Sequence, residues 1–283
     1  MEIKKVGVVG CGLMGGGIAQ VCAQAGYETV VSEINDELLN KGLGIIKGNI
    51  DKSVQKGKLT REAGDAIINR LKGTTNFDDY ADCDMVIEAV IEKMELKKKI
   101  FADLDRICPE HAILASNTSS LSIIDMASMT KRPDRVLGVH FFSPVPVMRL
   151  VELVKSIATS EEVLDIAVEF GKSLGKEVII AKDTPGFIVN LLFIPYALDA
   201  IRALQNDIAS KEDIDTGMRL GMNHPMGPLT LVDFIGVDVI YDVACAMYDE
   251  FKDPMYAPPP LLKKMVTAGW LGRKSGKGFY DYT

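Results

Sequence analysis

Short β-branched apolar runs alternate with stretches of helical period over the first two thirds of the chain. Residues 6–9, 29–31, 84–90, 113–116, 136–140, 148–154 and 178–181 read as strands, with 6–9 and 84–90 buried as in a parallel sheet. Between them, 13–25, 36–57, 60–71, 93–107 and 160–174 carry the apolar spacing of helices. Gly26 and Pro109 stand where two of them should stop. After Asp183 only helical patterns remain, at 185–206, 210–221, 228–251 and 259–268. Thr184 is placed to cap the first of these, with Pro185 at its first position. The expectation is an α/β domain over 1–184, built on a doubly wound, mostly parallel sheet, followed by an all-helical C-terminal domain over 185–283.

The first strand runs into Gly10-Cys-Gly12-Leu13-Met14-Gly15, a G-x-G-x-x-G at a strand-to-helix turn, and Glu33 ends the second strand eighteen residues after Gly15. Gly10 allows the tight turn, Gly12 lets a pyrophosphate approach the backbone, and Gly15 lets the helix press onto the strand. The helix N-terminus offers N–H groups and partial positive charge to that pyrophosphate. Glu33 is placed for the adenosine ribose hydroxyls and would repel a 2′-phosphate, which favours NAD over NADP. The order of parts is that of a Rossmann-type dinucleotide site. FAD and a ligand-free glycine turn are the other readings.

A net charge of −7 over 283 residues offers no general attraction for nucleic acid. The five cysteines are scattered without C-x-x-C, which suits a reducing cytoplasm and gives no metal ligand set. The first strand begins by Val6, so no signal peptide is expected. The most apolar stretch, 187–201, is broken by Asn190, Pro195 and Asp199, and no membrane span is expected. One stretch runs against the overall charge. Lys41, Lys47, Lys52, Lys56, Lys58 and Arg61 face only Asp51 between 41 and 61. A solvated helical face and a cationic arm for a phosphorylated ligand both fit.

Candidate chemistry gathers where strands end, the usual ligand edge of an open α/β sheet. Asn117-Thr118-Ser119-Ser120 follows one strand, either as a polar site or as a turn capping the next helix. Of three histidines, His111 and His224 sit in loops beside prolines, whereas His140 ends a strand. Glu152 lies twelve residues on, in an otherwise apolar strand that could pair alongside. A buried carboxylate there would fix the imidazole tautomer and make His140 a stronger base towards an alcohol proton; a solvent-facing edge position is the alternative. Asn190 lies in the first turns of the helix after the linker, either facing a cleft between domains or on the surface.

These motifs, together with Gly138-Val-His-Phe-Phe142, Asp183-Thr-Pro-Gly-Phe187, Asn223-His-Pro-Met-Gly-Pro228 and Gly272-Arg-Lys-Ser-Gly-Lys-Gly-Phe-Tyr280, resemble the 3-hydroxyacyl-CoA dehydrogenases over essentially the whole chain. The stand-alone bacterial 3-hydroxybutyryl-CoA enzymes are the nearest type. The resemblance implies His140 as general base and acid, Glu152 as its orienting partner, and Ser119 and Asn190 as holders of substrate and cofactor. It implies NAD contacts from Gly10, Gly12, Leu13, Met14, Gly15, Glu33, Glu92, Lys97, Ser119 and Ser143. It implies coenzyme A contacts from Asn49, Lys56 and Ser119, no metal, and a homodimer formed through the helical domain. Ser143 stands where that family usually has Asn, and Leu191 where Arg is common. A 3-hydroxyadipyl-CoA substrate and a non-catalytic dinucleotide-binding protein are the alternatives.

Overall fold

A computed structural model of the chain describes residues 1–282. They divide into two compact units, one over Met1–Thr184 and one that begins at Pro185.

The first unit is built on one eight-stranded sheet: β1 (Lys5–Val9), β2 (Glu28–Ser32), β3 (Leu71–Thr74), β4 (Met85–Glu88), β5 (Ile113–Ser116), β6 (Val136–Phe141), β7 (Leu150–Lys155) and β8 (Glu177–Lys182). Their order is β3-β2-β1-β4-β5-β6-β7-β8. Every neighbouring pair is parallel except β6 and β7, which run antiparallel. The helices are α1 (Leu13–Gln24), α2 (Asp36–Gln55), α3 (Arg61–Asn69), α4 (Met94–Ile107), α5 (Ile123–Ala127) and α6 (Glu161–Ser173). Val6, Val8, Ile87, Ile113, Leu137 and Leu153 are wholly buried in the core around the sheet. Burial of that kind contributes on the order of 1.5–3 kcal/mol per large aliphatic side chain. Asn35, Thr60 and Ser160 cap α2, α3 and α6 through their side chains.

The second unit is helical: α7 (Val189–Gln205), α8 (Lys211–Gly221), α9 (Pro228–Ile235), α10 (Val237–Phe251) and α11 (Pro260–Thr267). Its own core contains Ile194, Leu198, Ile201, Leu229, Val232, Val237 and Met247.

Several boundaries differ from the sequence reading. β3 was not expected; it starts where the predicted helix 60–71 ends, and Leu71-Lys-Gly-Thr74 is too short and too polar to show a strand period. α5, five residues long, is below the length at which periodicity speaks. α7 begins at Val189 rather than 185, since Gly186 and Phe187 both take positive φ (82° and 52°) and leave the helical region. The predicted helix 228–251 is two helices, broken at Gly236 with φ 122°.

Candidate functional site

The turn from β1 into α1 separates glycines needed for packing from one needed for something else. Gly10 sits at φ 99° against the carbonyl of Ala89, and a side chain on Gly15 would fall on the carbonyl oxygen of Gly10. Gly12, the residue preceding α1, has an ordinary φ of −72°, and a side chain there would meet nothing within 4 Å. Its bareness leaves room above the backbone rather than relieving a clash. α1 has no side-chain cap and no acid in its first turn. Open space, bare amides and a helix N-terminus are what an anionic pyrophosphate requires, so these residues fit a dinucleotide.

Glu33, half-buried just past β2, is aimed at this turn. Its Oε1 accepts from the Cys11 amide (3.0 Å) and its Oε2 from the Ile34 amide (3.1 Å). Cys11 Sγ is buried beside it; burial first and the Glu33 charge second push the thiol up to about 11. A groove of about 330 Å³ opens here, lined among others by Gly12, Leu13, Glu33, Lys41, Asn49 and Val145. Of the basic stretch only Lys41 lines this groove; Lys47, Lys52, Lys56 and Lys58 are exposed further along α2 and just past its end. Arg61 is engaged by Asp51 (2.8 Å) and Asp65 (3.3 Å). Asn49 is exposed, and its amide reaches Gln20 Oε1 at 3.5 Å.

Beyond the ends of β4 and β5 lies a charged network. Glu88 is wholly buried; its Oε1 accepts from the Val90 amide (2.7 Å) and Lys97 Nζ (2.7 Å), and its Oε2 from Ser116 Oγ (2.6 Å). Lys97 Nζ, equally buried, also pairs with Glu92 Oε2 at 3.1 Å. Glu92 in turn accepts from Thr118 Oγ1 and from the Ser119 amide (3.0 Å). Burial raises the Glu92 carboxyl, but the Lys97 charge and these hydrogen bonds outweigh it and hold it below its ordinary range. The polar segment after β5 is therefore both a turn and an anchored platform. Thr118 Oγ1 accepts from the Leu121 amide (2.9 Å), while Ser119 itself stays partly open. The Lys97 ammonium is thus shared by two carboxylates.

His140 and Glu152 face each other directly in the antiparallel β6–β7 register. His140 Nδ1 lies 2.7 Å from Glu152 Oε2, with the histidine 6% exposed and the glutamate fully buried. The solvent-facing alternative for Glu152 is excluded. The Phe142 ring covers the imidazole at a centroid distance of 4.6 Å. The Asn117 side chain accepts from the Phe141 amide (2.9 Å), tying the end of β5 to the strand that carries His140. Asp183 accepts from the Ile123 and Ile124 amides (2.8 Å each), holding α5 in place after the Ser119 segment.

Ser143 is exposed in the connection after β6. His111 pairs with Asp84 at the opposite edge of the sheet, at the start of β4. Asn190 and His224 belong to the helical unit; Asn190 is the second residue of α7, and His224 Nδ1 lies 3.2 Å from Tyr196 Oη. Sequence reasoning missed Glu88, named Asn117 only within the polar segment after β5, and gave Asp183 no role beyond a motif position. The one available signal was Glu88, an acid inside the apolar run 85–90 with a lysine nine residues on.

Comparison with known proteins matches both units. Residues 5–184 fit the family model "3-hydroxyacyl-CoA dehydrogenase, NAD binding domain", and 186–282 fit "3-hydroxyacyl-CoA dehydrogenase, C-terminal domain". The chain is 48% identical over 282 residues to a 3-hydroxybutyryl-CoA dehydrogenase of Mycobacterium tuberculosis, covering 99% of each. It is 42% identical over 288 residues to the human mitochondrial hydroxyacyl-coenzyme A dehydrogenase, covering 99% of this chain and 91% of that one. Among solved structures, (S)-3-hydroxybutyryl-CoA dehydrogenase from Ralstonia eutropha superposes with a TM-score of 0.95 at 45% identity, each chain covered in full.

Proposed function

The chain belongs to the 3-hydroxyacyl-CoA dehydrogenase family, and from that premise we propose that it interconverts short-chain (3S)-3-hydroxyacyl-CoA and 3-oxoacyl-CoA. Its pair is 3-hydroxybutyryl-CoA and acetoacetyl-CoA, with NAD as the cofactor. The observation that carries this reading is the buried His140–Glu152 pair, set in the same sheet whose first turn is cleared for a dinucleotide.

When bound, NAD supplies the hydride chemistry at C3. The chain supplies position and the proton. With Nδ1–H donated to Glu152, Nε2 of His140 is the nitrogen that takes the C3 hydroxyl proton during oxidation and returns it during reduction. Glu152 holds the ring in that tautomer and stabilises the imidazolium. Ser119, on its anchored platform, and Asn190 orient the substrate. The turn residues Gly10, Gly12, Leu13, Met14 and Gly15 hold the pyrophosphate, and Glu33 the adenosine ribose. Glu92 and Lys97 frame the same ligand beyond β4, and Ser143 beyond β6. Asn49 and Lys56 contact coenzyme A, whose phosphates suit the exposed lysines of α2.

No helix among the described residues is long and apolar enough to cross a membrane. We place the enzyme in the cytoplasm as a homodimer formed through the helical unit, where Leu192, Leu220, Met222 and Phe234 leave apolar surface exposed.

The test is acetoacetyl-CoA-dependent oxidation of NADH by the intact protein and by His140→Ala. The variant should lose about 10²–10⁴ in kcat while binding NADH as before. A loss below about tenfold would remove His140 from the role.

A further inference from the structure

Glu88 has no role in the reaction as described, yet it lies at 0% exposure beside a lysine at 1%. Burying two ions costs more than packing two apolar side chains of the same volume, so hydrophobic packing does not account for them. Their polar atoms are taken up by hydrogen-bond partners. Both carboxylates act only as acceptors: Glu88 from an amide, a hydroxyl and the ammonium, Glu92 from Thr118 Oγ1, the Ser119 amide and the same ammonium. Two carboxylates and one ammonium leave a single net negative charge, fixed by backbone and hydroxyl donors.

Its place in the sheet gives that charge a use. Glu33 at the end of β2 marks the adenosine side and Gly12 at the end of β1 the pyrophosphate. Strand order continues from β1 to β4 and β5, so the nicotinamide half of a dinucleotide extends over the edge where Glu88, Lys97 and Glu92 lie. The oxidised nicotinamide ring is a cation; the reduced ring is neutral. A fixed negative charge at that edge interacts with the two forms differently, and because its donors are already in place no reorganisation is needed.

We propose that Glu88, Lys97 and Glu92 form a charge device that biases cofactor binding towards the oxidised ring, with Glu88 as the positioning residue that keeps Lys97 from cancelling Glu92. The proposal rests on the reading of this sheet as an NAD site.

The test is the dissociation constant of NAD+ and of NADH, measured by titration calorimetry on the intact protein, on Glu88→Gln and on Ser116→Ala. Glu88→Gln removes the charge at nearly constant shape and should raise the ratio Kd(NAD+)/Kd(NADH) by about three- to tenfold. Ser116→Ala keeps all three charges and should leave the ratio unchanged. A folded Glu88→Gln whose two constants move by the same factor, or not at all, reduces Glu88 to a structural role and overturns the proposal. If Glu88→Gln does not fold, Glu92→Gln decides in its place: its side chain is 36% exposed, and it should move the ratio in the same direction. Failure of the unmodified protein to bind either cofactor would instead remove the NAD reading on which the proposal stands.

Discussion

Replacing Glu152 by glutamine removes a charge from beneath His140 while keeping shape. The carboxylate oxygen lies 2.7 Å from Nδ1 and both side chains are buried. Charge centres about 4 Å apart interact by about 4 kcal/mol at an effective dielectric of 20. That attraction exists only when the imidazole is protonated, the state the proton transfer creates. At about 1.4 kcal/mol per tenfold, its complete loss corresponds to nearly three orders of magnitude. Proton transfer is partial in the transition state, so Glu152→Gln should lower kcat for 3-hydroxybutyryl-CoA oxidation by about 10²–10³. The amide can also present its N–H to Nδ1 and select the wrong tautomer, which adds to the loss. The KM for NAD should move little, and thermal unfolding should show the variant folded. Steady-state rates at saturating NAD provide the assay. A folded Glu152→Gln retaining more than about a tenth of the wild-type kcat would refute the electrostatic argument for this pair.

The two loop glycines should separate cleanly. Gly12→Ala meets open space, so its melting temperature should stay near wild type while its Kd for NADH rises at least about tenfold; Gly15→Ala strikes the Gly10 carbonyl and should lose on the order of 1–3 kcal/mol of stability or more. Glu33→Ala should narrow the preference for NADH over NADPH in cofactor titrations, and an unchanged ratio would place the discrimination elsewhere. Cys11, buried and pushed up to about 11, should carry on the order of 0.1% thiolate at pH 8 and resist iodoacetamide in the native protein, as read by peptide mass spectrometry. Rapid native labelling would contradict the burial of that thiol.

The sequence was most legible where a residue type has few physical uses. Gly10, Gly12 and Gly15 between two apolar runs announce a dinucleotide turn, and Glu33 completes it. The pairing of His140 with Glu152 was a suggestion of spacing. Only the antiparallel register turned it into a contact, because twelve residues could equally lead to a strand on another edge. The Glu88–Lys97–Glu92 network was legible only in part, for a related reason. Its members lie on a strand, a loop and a helix, and nothing in their spacing says that one ammonium serves two acids. Gly236 and Phe187 show the limit for helices. Apolar periodicity runs through both, and the breaks come from positive backbone φ, which hydrophobic pattern does not encode.

The proposed reaction depends on three things at once: the reduced cofactor without a 2′-phosphate, a 3-oxoacyl group, and the coenzyme A handle. One set of parallel assays tests them together. Oxidation of NADH is followed with acetoacetyl-CoA, beside NADPH with acetoacetyl-CoA and NADH with free acetoacetate. Rapid turnover confined to NADH with acetoacetyl-CoA is the expected result. Equal turnover of free acetoacetate, or none of acetoacetyl-CoA while NADH still binds, would contradict the assignment.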